Sequence, residues 1–409
     1  MNETMKGTAS PSPEALDLAG HFSPTTQEAW RELFLRDLGI DRIEAASTGL
    51  DGDPPVLPYY TQSSAHDIGG TAGWRYADFV DLGPAGSRDV PGNDPGADGA
   101  ADLVIFRLDG PFDGLDPSRL AHAGPHLVWA TGAGAADLSG LDRESLILDP
   151  MAEALRHNAP VDFGLSDFGG SLPCYVDLTA WDARAAPNSW LAAAAFSSVS
   201  EWMVQLTNAG VPPERAASRI RIIIPLRTEF FPSIALQRAI RLGTREVLAH
   251  FGAVGCPPHT AVASEFALSP QDTYTNLLRS TTMAAAAAVG GADVLCLLPY
   301  DHHAGGSERG RRLSRNISHL LRYEGHLGLV ADAGAGSHYV ETLTEETARL
   351  GWDHFKEWES RGGLARMLSA GEVHPLLEPF HLRAEARVAS AERVVVGLNR
   401  FQPPAGGAA

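Results

Sequence analysis

Two stretches of the sequence carry residue types able to do chemistry. Asp301-His302-His303-Ala304-Gly305-Gly306 sets a carboxylate beside two imidazoles in a run bounded by glycines. Such a group holds a divalent metal only when enough ligands converge on one point. In a glycine-rich loop neighbouring histidines are otherwise solvated, so no metal site is expected here. Arg311, Arg315 and Arg322 follow at i, i+4 and i+11, the spacing of one helix face. An arginine stripe can grip phosphates, as in coenzyme A, or an acidic patch on a partner. It can equally be used up in internal ion pairs, here with Glu324, Glu341 or Asp332. The internal pairs are the expectation carried forward.

Those residues need a scaffold, and the apolar pattern supplies one. Eight short strands are predicted at Trp74–Leu82, Asp102–Leu108, His126–Ala130, Ser145–Leu148, Cys174–Leu178, Ile220–Pro225, Thr260–Ser264 and Asp293–Leu298. Helical spacing is clearest at Trp190–Gln205, Pro232–His250 and Asp272–Val289. Buried strands alternating with amphipathic helices imply a parallel sheet, and eight such units imply a TIM-type (β/α)8 barrel. An open doubly wound sheet is the competing arrangement. Thr25–Leu38 places Trp30, Leu33, Phe34 and Leu38 at helical spacing, an N-terminal helical arm after a start rich in Ser, Pro and Thr. Gly83–Gly99 is dense in Gly, Pro and Asp and reads as a surface loop. A C-terminal helical extension is predicted from Ser307–Tyr323, Thr344–Arg361 and Leu364–Ser369. The resulting division is residues 1–53 for a disordered start and the arm, 54–306 for the barrel and 307–409 for the extension. Within the extension Trp352, Phe355 and Trp358 recur at i, i+3 and i+6. That stripe is read first as core packing and second as a subunit contact. Asn276 and Arg279 are expected to join their helix to the tail.

Composition narrows the function. With 44% hydrophobic and 20% charged residues the chain has the balance of a globular protein. A net charge of −18, from 50 acidic and 32 basic residues, disfavours nucleic acid and anionic membranes as partners. Local arginines could still bind an anionic ligand. Cys174, Cys256 and Cys296 lie far apart without CxxC spacing, which suits a reducing cytoplasm. The first residues lack the basic start and apolar run of a signal peptide, and no apolar stretch is long enough to span a membrane. A cytoplasmic location is expected.

From about Arg227 onward the sequence resembles the acyl-CoA mutase family typified by methylmalonyl-CoA mutase. The resemblance is carried by TEFFPSIALQRAIRL (228–242), DTYTNLLRSTTMAAAAAVGGADVLCLLPYD (272–301), the run from Arg311 to Gly363, and RVVVGLNRF (393–401). Leu57–Thr61 (LPYYT) resembles the opening of the family's barrel domain, and Val176–Phe196 aligns by position. The resemblance implies a barrel that takes an acyl-CoA through its centre. In catalytic chains a separate cobalamin-binding domain carries adenosylcobalamin, whose cobalt–carbon bond starts a radical rearrangement. That domain carries an Asp-x-His-x-x-Gly motif, and Asp301, His303 and Gly306 match it literally. Here the match falls in the loop after strand eight, and the residues after it match the family's helical tail. No cobalamin-binding domain is therefore expected, and no cofactor on this chain.

The positions that align with the family's active site depart from it. The Tyr-His pair ending strand five falls on Thr179 and Ala180. Neither replaces an imidazole or a phenol in reach or hydrogen bonding, and Asp182 and Arg184 are the strongly polar residues nearby. A glutamine falls on Met283 and a histidine on Cys296, the latter inside the apolar run Val294–Leu298. The family's Thr-x-Gln-Asn-Asp-type segment has no counterpart between Ala130 and Cys174. The resemblance thus implies no catalytic residues here. It points to the small, non-catalytic beta-type subunit of a heterodimer, with adenosylcobalamin on a larger cobalamin-binding mutase subunit. Whether an acyl-CoA still enters the barrel stays open. The alternatives are the substrate-binding subunit of a split cobalamin-dependent mutase and a degenerate acyl-CoA-binding module.

Overall fold

The arm forms α1 (Gln27–Leu38), started by the Thr26 side chain, which accepts a hydrogen bond from the Ala29 amide, and ended by Gly39 in the left-handed region. This computed structural model describes residues 26–46, 57, 60, 66–69, 72–82, 100–109, 120, 125–131, 145–163 and 172–402. The start of the chain through residue 25 and the loop Gly83–Gly99 lie outside them. Among the described residues no helix is long and apolar enough to cross a membrane.

Eight strands follow: β1 (Arg75–Asp81), β2 (Leu103–Asp109), β3 (His126–Thr131), β4 (Leu146–Ile147), β5 (Cys174–Asp177), β6 (Ile220–Leu226), β7 (His259–Ala263) and β8 (Val294–Leu297). All ladders between them are parallel, in the order β4-β3-β2-β1-β8-β7-β6-β5. Pairing of the first strand with the last excludes the open doubly wound sheet. The fold is a nearly closed TIM-type barrel, with its seam between β4 and β5, where no ladder is formed among the described residues. The fourth strand shrinks to Leu146–Ile147, two residues paired with Val128 and Trp129.

The helices are α2 (Pro150–His157), α3 (Thr179–Asp182), α4 (Asn188–Asn208), α5 (Pro213–Ala217), α6 (Phe230–His250), α7 (Thr275–Val289), α8 (Glu308–His319), α9 (His338–Ser360), α10 (Leu364–Ser369) and α11 (Val373–Ala389). Small residues set how closely α4, α6 and α9 approach. A Cβ on Gly243 would sit 2.1 Å from the Phe196 ring, and one on Gly351 would sit 2.8 Å from the Ala192 methyl. The aromatic stripe of α9 is spent in this layer. Trp358 is 2% exposed and stacks on Trp181 at 5.5 Å, with Trp190 edge-on at 5.4 Å. Trp352 and Phe355 pack on Phe196. Core packing is therefore the reading that holds for these three.

Arg238 of α6 is fully buried and ties the tail to the barrel. It pairs with Asp332 and, at 2.7 Å, with Glu341, whose other oxygen accepts from the Gly336 amide at 2.9 Å. Arg279 donates to the Val396 carbonyl at 2.5 Å, and Asn276 donates to the carbonyls of Ser269 and Tyr300, both at 2.9 Å. Arg279 thus joins α7 to the tail as expected, whereas Asn276 is held by the loops after β7 and β8 and not by the tail.

Candidate functional site

In a barrel of this kind the strands' C-terminal ends form the mouth where chemistry is placed. Because side chains alternate along a strand, the ladder registers decide which residues face inward. Phe79, Ile105 and Trp129 share one side with Ile147, Tyr175, Ile223, Val262, Cys296 and Leu298, and all belong to one buried apolar cluster. This side is the interior, and Trp129 and Tyr175, each 5% exposed, are its largest plugs. Above them remains a cavity of about 200 Å³ lined by Arg107, Trp129, Arg156, Thr179, Asp182, Ser264 and Glu265 among others. Sites for drug-sized ligands are larger, ~300–1,000 Å³.

The rim of this cavity is polar, and its cations are matched by carboxylates. Arg107, at the end of β2, donates to Asp81 at 3.1 Å and to Glu265 at 3.0 Å, and its guanidinium lies 5.5 Å from the Phe79 ring centre. His302 meets the same Glu265 oxygen at 3.3 Å. The hydrogen bond to His302, with Arg107 nearby, holds the Glu265 carboxyl down to about 2. Arg156, from α2, pairs with Asp177 and with Glu153 (2.6 Å) and donates to the Thr179 hydroxyl at 3.2 Å. Arg227 donates to Asp182 at 2.6 Å and to the Ala186 carbonyl at 2.7 Å, and the Ser264 hydroxyl reaches the other Asp182 oxygen at 2.5 Å. Within this rim, Thr179 donates its hydroxyl to Asp177 at 2.7 Å.

The four positions aligned with the family's active site do not meet here. Thr179 lines the cavity, whereas Ala180 is buried next to Trp181 in the outer helical core. Cys296 is fully buried inside the barrel, and burial pushes its thiol far up, away from the reactive thiolate. Met283 is fully buried on α7 and does not line the cavity. Sequence reasoning passed over Arg107, Arg156, Arg227, Ser264 and Glu265, and part of the signal was available: Arg107 stands near the end of β2, and Arg227, Ser264 and Glu265 lie just beyond β6 and β7, whereas Arg156 sits in the last turn of α2.

The arginine stripe is broken by the backbone. A π turn at Leu320–Glu324 follows α8, so Arg322 loses the phase that i+11 would give it, and its guanidinium sits 5.5 Å from the Trp74 ring centre. Arg311 donates to the Gly306 carbonyl at 3.1 Å, and Arg315 pairs with Asp78 of β1. Internal pairing is thus present with a different partner from those expected, since Asp332 and Glu341 are taken by Arg238. Burial raises the Asp78 carboxyl against the pull of Arg315.

The Asp-x-His-x-x-Gly match is equally divided. Asp301 accepts from the Ser307 amide at 3.1 Å at the head of α8, His302 turns to Glu265, and the exposed His303 faces the Leu268 carbonyl at 3.3 Å. Asp301 and His303 are not joined in a carboxylate–imidazole relay, so these residues do not fit a cobalt-ligating site. Among the described residues no three His, Cys, Asp or Glu side chains are placed to hold a metal ion.

Residues 182–407 match the family model described as methylmalonyl-CoA mutase. The chain is similar to a methylmalonyl-CoA mutase small subunit of Streptomyces virginiae, 28% identical over 95% of this chain and 72% of that protein. It is also similar to the small subunit of Porphyromonas gingivalis, 29% identical over 49% of this chain and 34% of the relative. The large subunit of the same organism is 30% identical over 48% of this chain and 28% of its own length. The chain thus spans about a third or less of the two Porphyromonas gingivalis proteins it matches. With more than half of its length matched by the family model, and with a barrel of the expected topology, the chain belongs to the methylmalonyl-CoA mutase family.

Proposed function

We propose that this chain is the small, non-catalytic subunit of a heteromeric adenosylcobalamin-dependent acyl-CoA mutase, supporting a larger cobalamin-binding chain in the cytoplasm. The observation that carries the reading is the closed barrel interior. Trp129, Tyr175, Cys296 and Leu298 occupy the space through which an acyl-CoA would pass. The names of the Streptomyces and Porphyromonas relatives, small and large subunits among them, support the pairing.

When bound in such an enzyme, adenosylcobalamin supplies the radical that starts carbon-skeleton isomerisation, and the partner would hold it. The residues of this chain do other work. Arg107, Arg156 and Arg227 lock the strand ends to α2, to the loop after β7 and to the turn before α4. Arg238 fastens α9 to α6, keeping the outer helices rigid enough to present a surface. Stable subunit contacts of this sort bury on the order of 2,000 Å² or more.

The test uses the purified chain with methylmalonyl-CoA and adenosylcobalamin, alone and after co-expression with a cobalamin-binding mutase chain from the same genome. No turnover and no stoichiometric corrinoid are expected alone, and co-elution with turnover is expected for the pair. Turnover by the lone chain above a no-enzyme blank, or a pair that does not co-elute at micromolar concentration, overturns the proposal.

A further inference from the structure

Among the described residues the eight-stranded ring is held by backbone ladders at every junction except that between β4 and β5. There the work passes to side chains. Asp149 stands at the end of β4 and does two things with one carboxylate. One oxygen accepts from the Met151 amide at 2.9 Å, capping α2, and the other crosses the seam to accept from the Asp177 amide of β5 at 2.7 Å. The Asp177 carboxylate completes the join. It accepts from the Trp129 indole of β3 at 3.1 Å, from Arg156 of α2, and from the amide and hydroxyl of Thr179 at 2.9 and 2.7 Å. Asp149 and Asp177 are 5% and 1% exposed, so two buried carboxyl groups flank the junction that has no ladder among the described residues.

We propose that this seam is a proton-dependent clasp: with Asp149 protonated the two strand edges stay joined, and loss of that proton loosens the junction locally. Asp177 accepts from four donors, one of them the Arg156 guanidinium. Asp149 has only backbone amides to balance its charge, and burial together with the Asp177 charge pushes it up to about 7. The groups around the clasp are Asp177 and Cys174 from β5, Glu153, Arg156 and His157 from α2, Arg219 and Arg221 acting on Cys174 from the start of β6, and His374 of α11 on the Leu155 backbone of α2; β3 contributes the neutral Trp129. Cys174, raised to about 12 by burial, does not titrate near neutrality.

The sign follows from linkage. The closed seam holds the proton more tightly than an opened one, in which Asp149 returns toward its ordinary value of 3.8. Opening therefore becomes easier as pH rises from the ordinary carboxylate range up to about 7, and is independent of pH above that. Between roughly pH 5.5 and 7.5 the opening equilibrium should increase on the order of tenfold. This runs against the usual acid-labile behaviour of paired carboxylates.

The experiment is hydrogen exchange with mass-spectrometric readout on the full chain at those two pH values, rates being normalised to intrinsic chemical exchange. Segments 146–157 and 172–178 should lose about tenfold protection at the higher pH, while segment 75–81, laddered on both sides, should not change. Asp149→Asn keeps an acceptor oxygen and cannot ionise, so its seam should show the same protection at both values. His157→Gln and His374→Gln remove the imidazoles of α2 and of α11 packed on it, and each should leave the step intact. If Asp149→Asn folds poorly, Asp149→Ser retains the helix cap but cannot span the seam, and its seam segments should exchange quickly at both pH values. Equal wild-type protection at the two values, or a pH step that survives in Asp149→Asn, overturns the proposal.

Discussion

Replacing Trp358 by alanine separates a tail built to hold its own chain from a tail built to meet another. Trp358 is 2% exposed and wedged between Trp181, stacked at 16° and 5.5 Å, and Trp190, edge-on at 5.4 Å. Removing a buried tryptophan side chain costs about 3–5 kcal/mol through lost transfer free energy and the cavity left behind. The two aromatic contacts fall within that total, at roughly 0.5–1.5 kcal/mol each. Burial therefore outweighs ring geometry, and Trp358→Phe, which keeps a smaller ring there, should lose roughly 1–2 kcal/mol. Urea unfolding of the lone chain, followed by far-ultraviolet circular dichroism, reads these differences directly. Tyr323→Ala, at a residue 64% exposed, is the control and should stay within about 0.5 kcal/mol of wild type. A loss below about 1 kcal/mol for Trp358→Ala, together with weakened partner binding, would show that the stripe serves the interface instead.

Two further expectations concern packing and acid. Gly243→Ala brings a Cβ within 2.1 Å of the fully buried Phe196 ring, so it should destabilise by about 1–3 kcal/mol, although alanine is the better helix former by about 1 kcal/mol; a stabilised variant in urea unfolding would contradict the α4–α6 spacing. Glu265 is held at about 2 against an ordinary 4.5, so the stability it contributes is complete above 4.5 and lost as pH falls toward 2. Glu265→Gln should therefore flatten the stability–pH curve in that window, and an unchanged slope there would remove the Arg107–Glu265–His302 network from the account.

What could be read from the sequence was the periodic part. Runs such as Ile220–Leu226 announce buried parallel strands because nearly every position is apolar, and their number implied the barrel. The fourth strand was harder, since a two-residue ladder leaves almost no period to detect. Helix α11 was not delineated within the predicted extension; it carries Pro375 in its opening turn and Pro379 inside it, where proline ordinarily breaks a helix. The i+11 inference for Arg322 failed for a related reason: a π turn shifts helical phase and leaves no mark in side-chain spacing. The mouth was the least legible part. Arg107 and Glu265 are separated by 158 residues, and only strand register brings them together.

That register also bears on whether an anionic acyl group could use the mouth. A carboxylate entering the cavity would need a cation or donor not already engaged. Freeing Arg107 means breaking its pairs with Asp81 and Glu265 at once, and Arg156 is bound to Asp177 and Glu153 in the same way. Each release would leave two carboxylates facing the incoming charge, for Arg156 including the fully buried Asp177, and an orphaned charge away from water costs more than the original pair contributed. The five carboxylates around these three arginines, counting Asp182 at Arg227, already leave a negative rim. Electrostatics thus opposes an anion at the mouth for the same reason that packing opposes it deeper in, where Trp129 and Tyr175 stand. A single substitution such as Cys296→His would not restore a site, because the imidazole would arrive beneath Leu298 in a fully buried layer, away from the polar rim of the cavity.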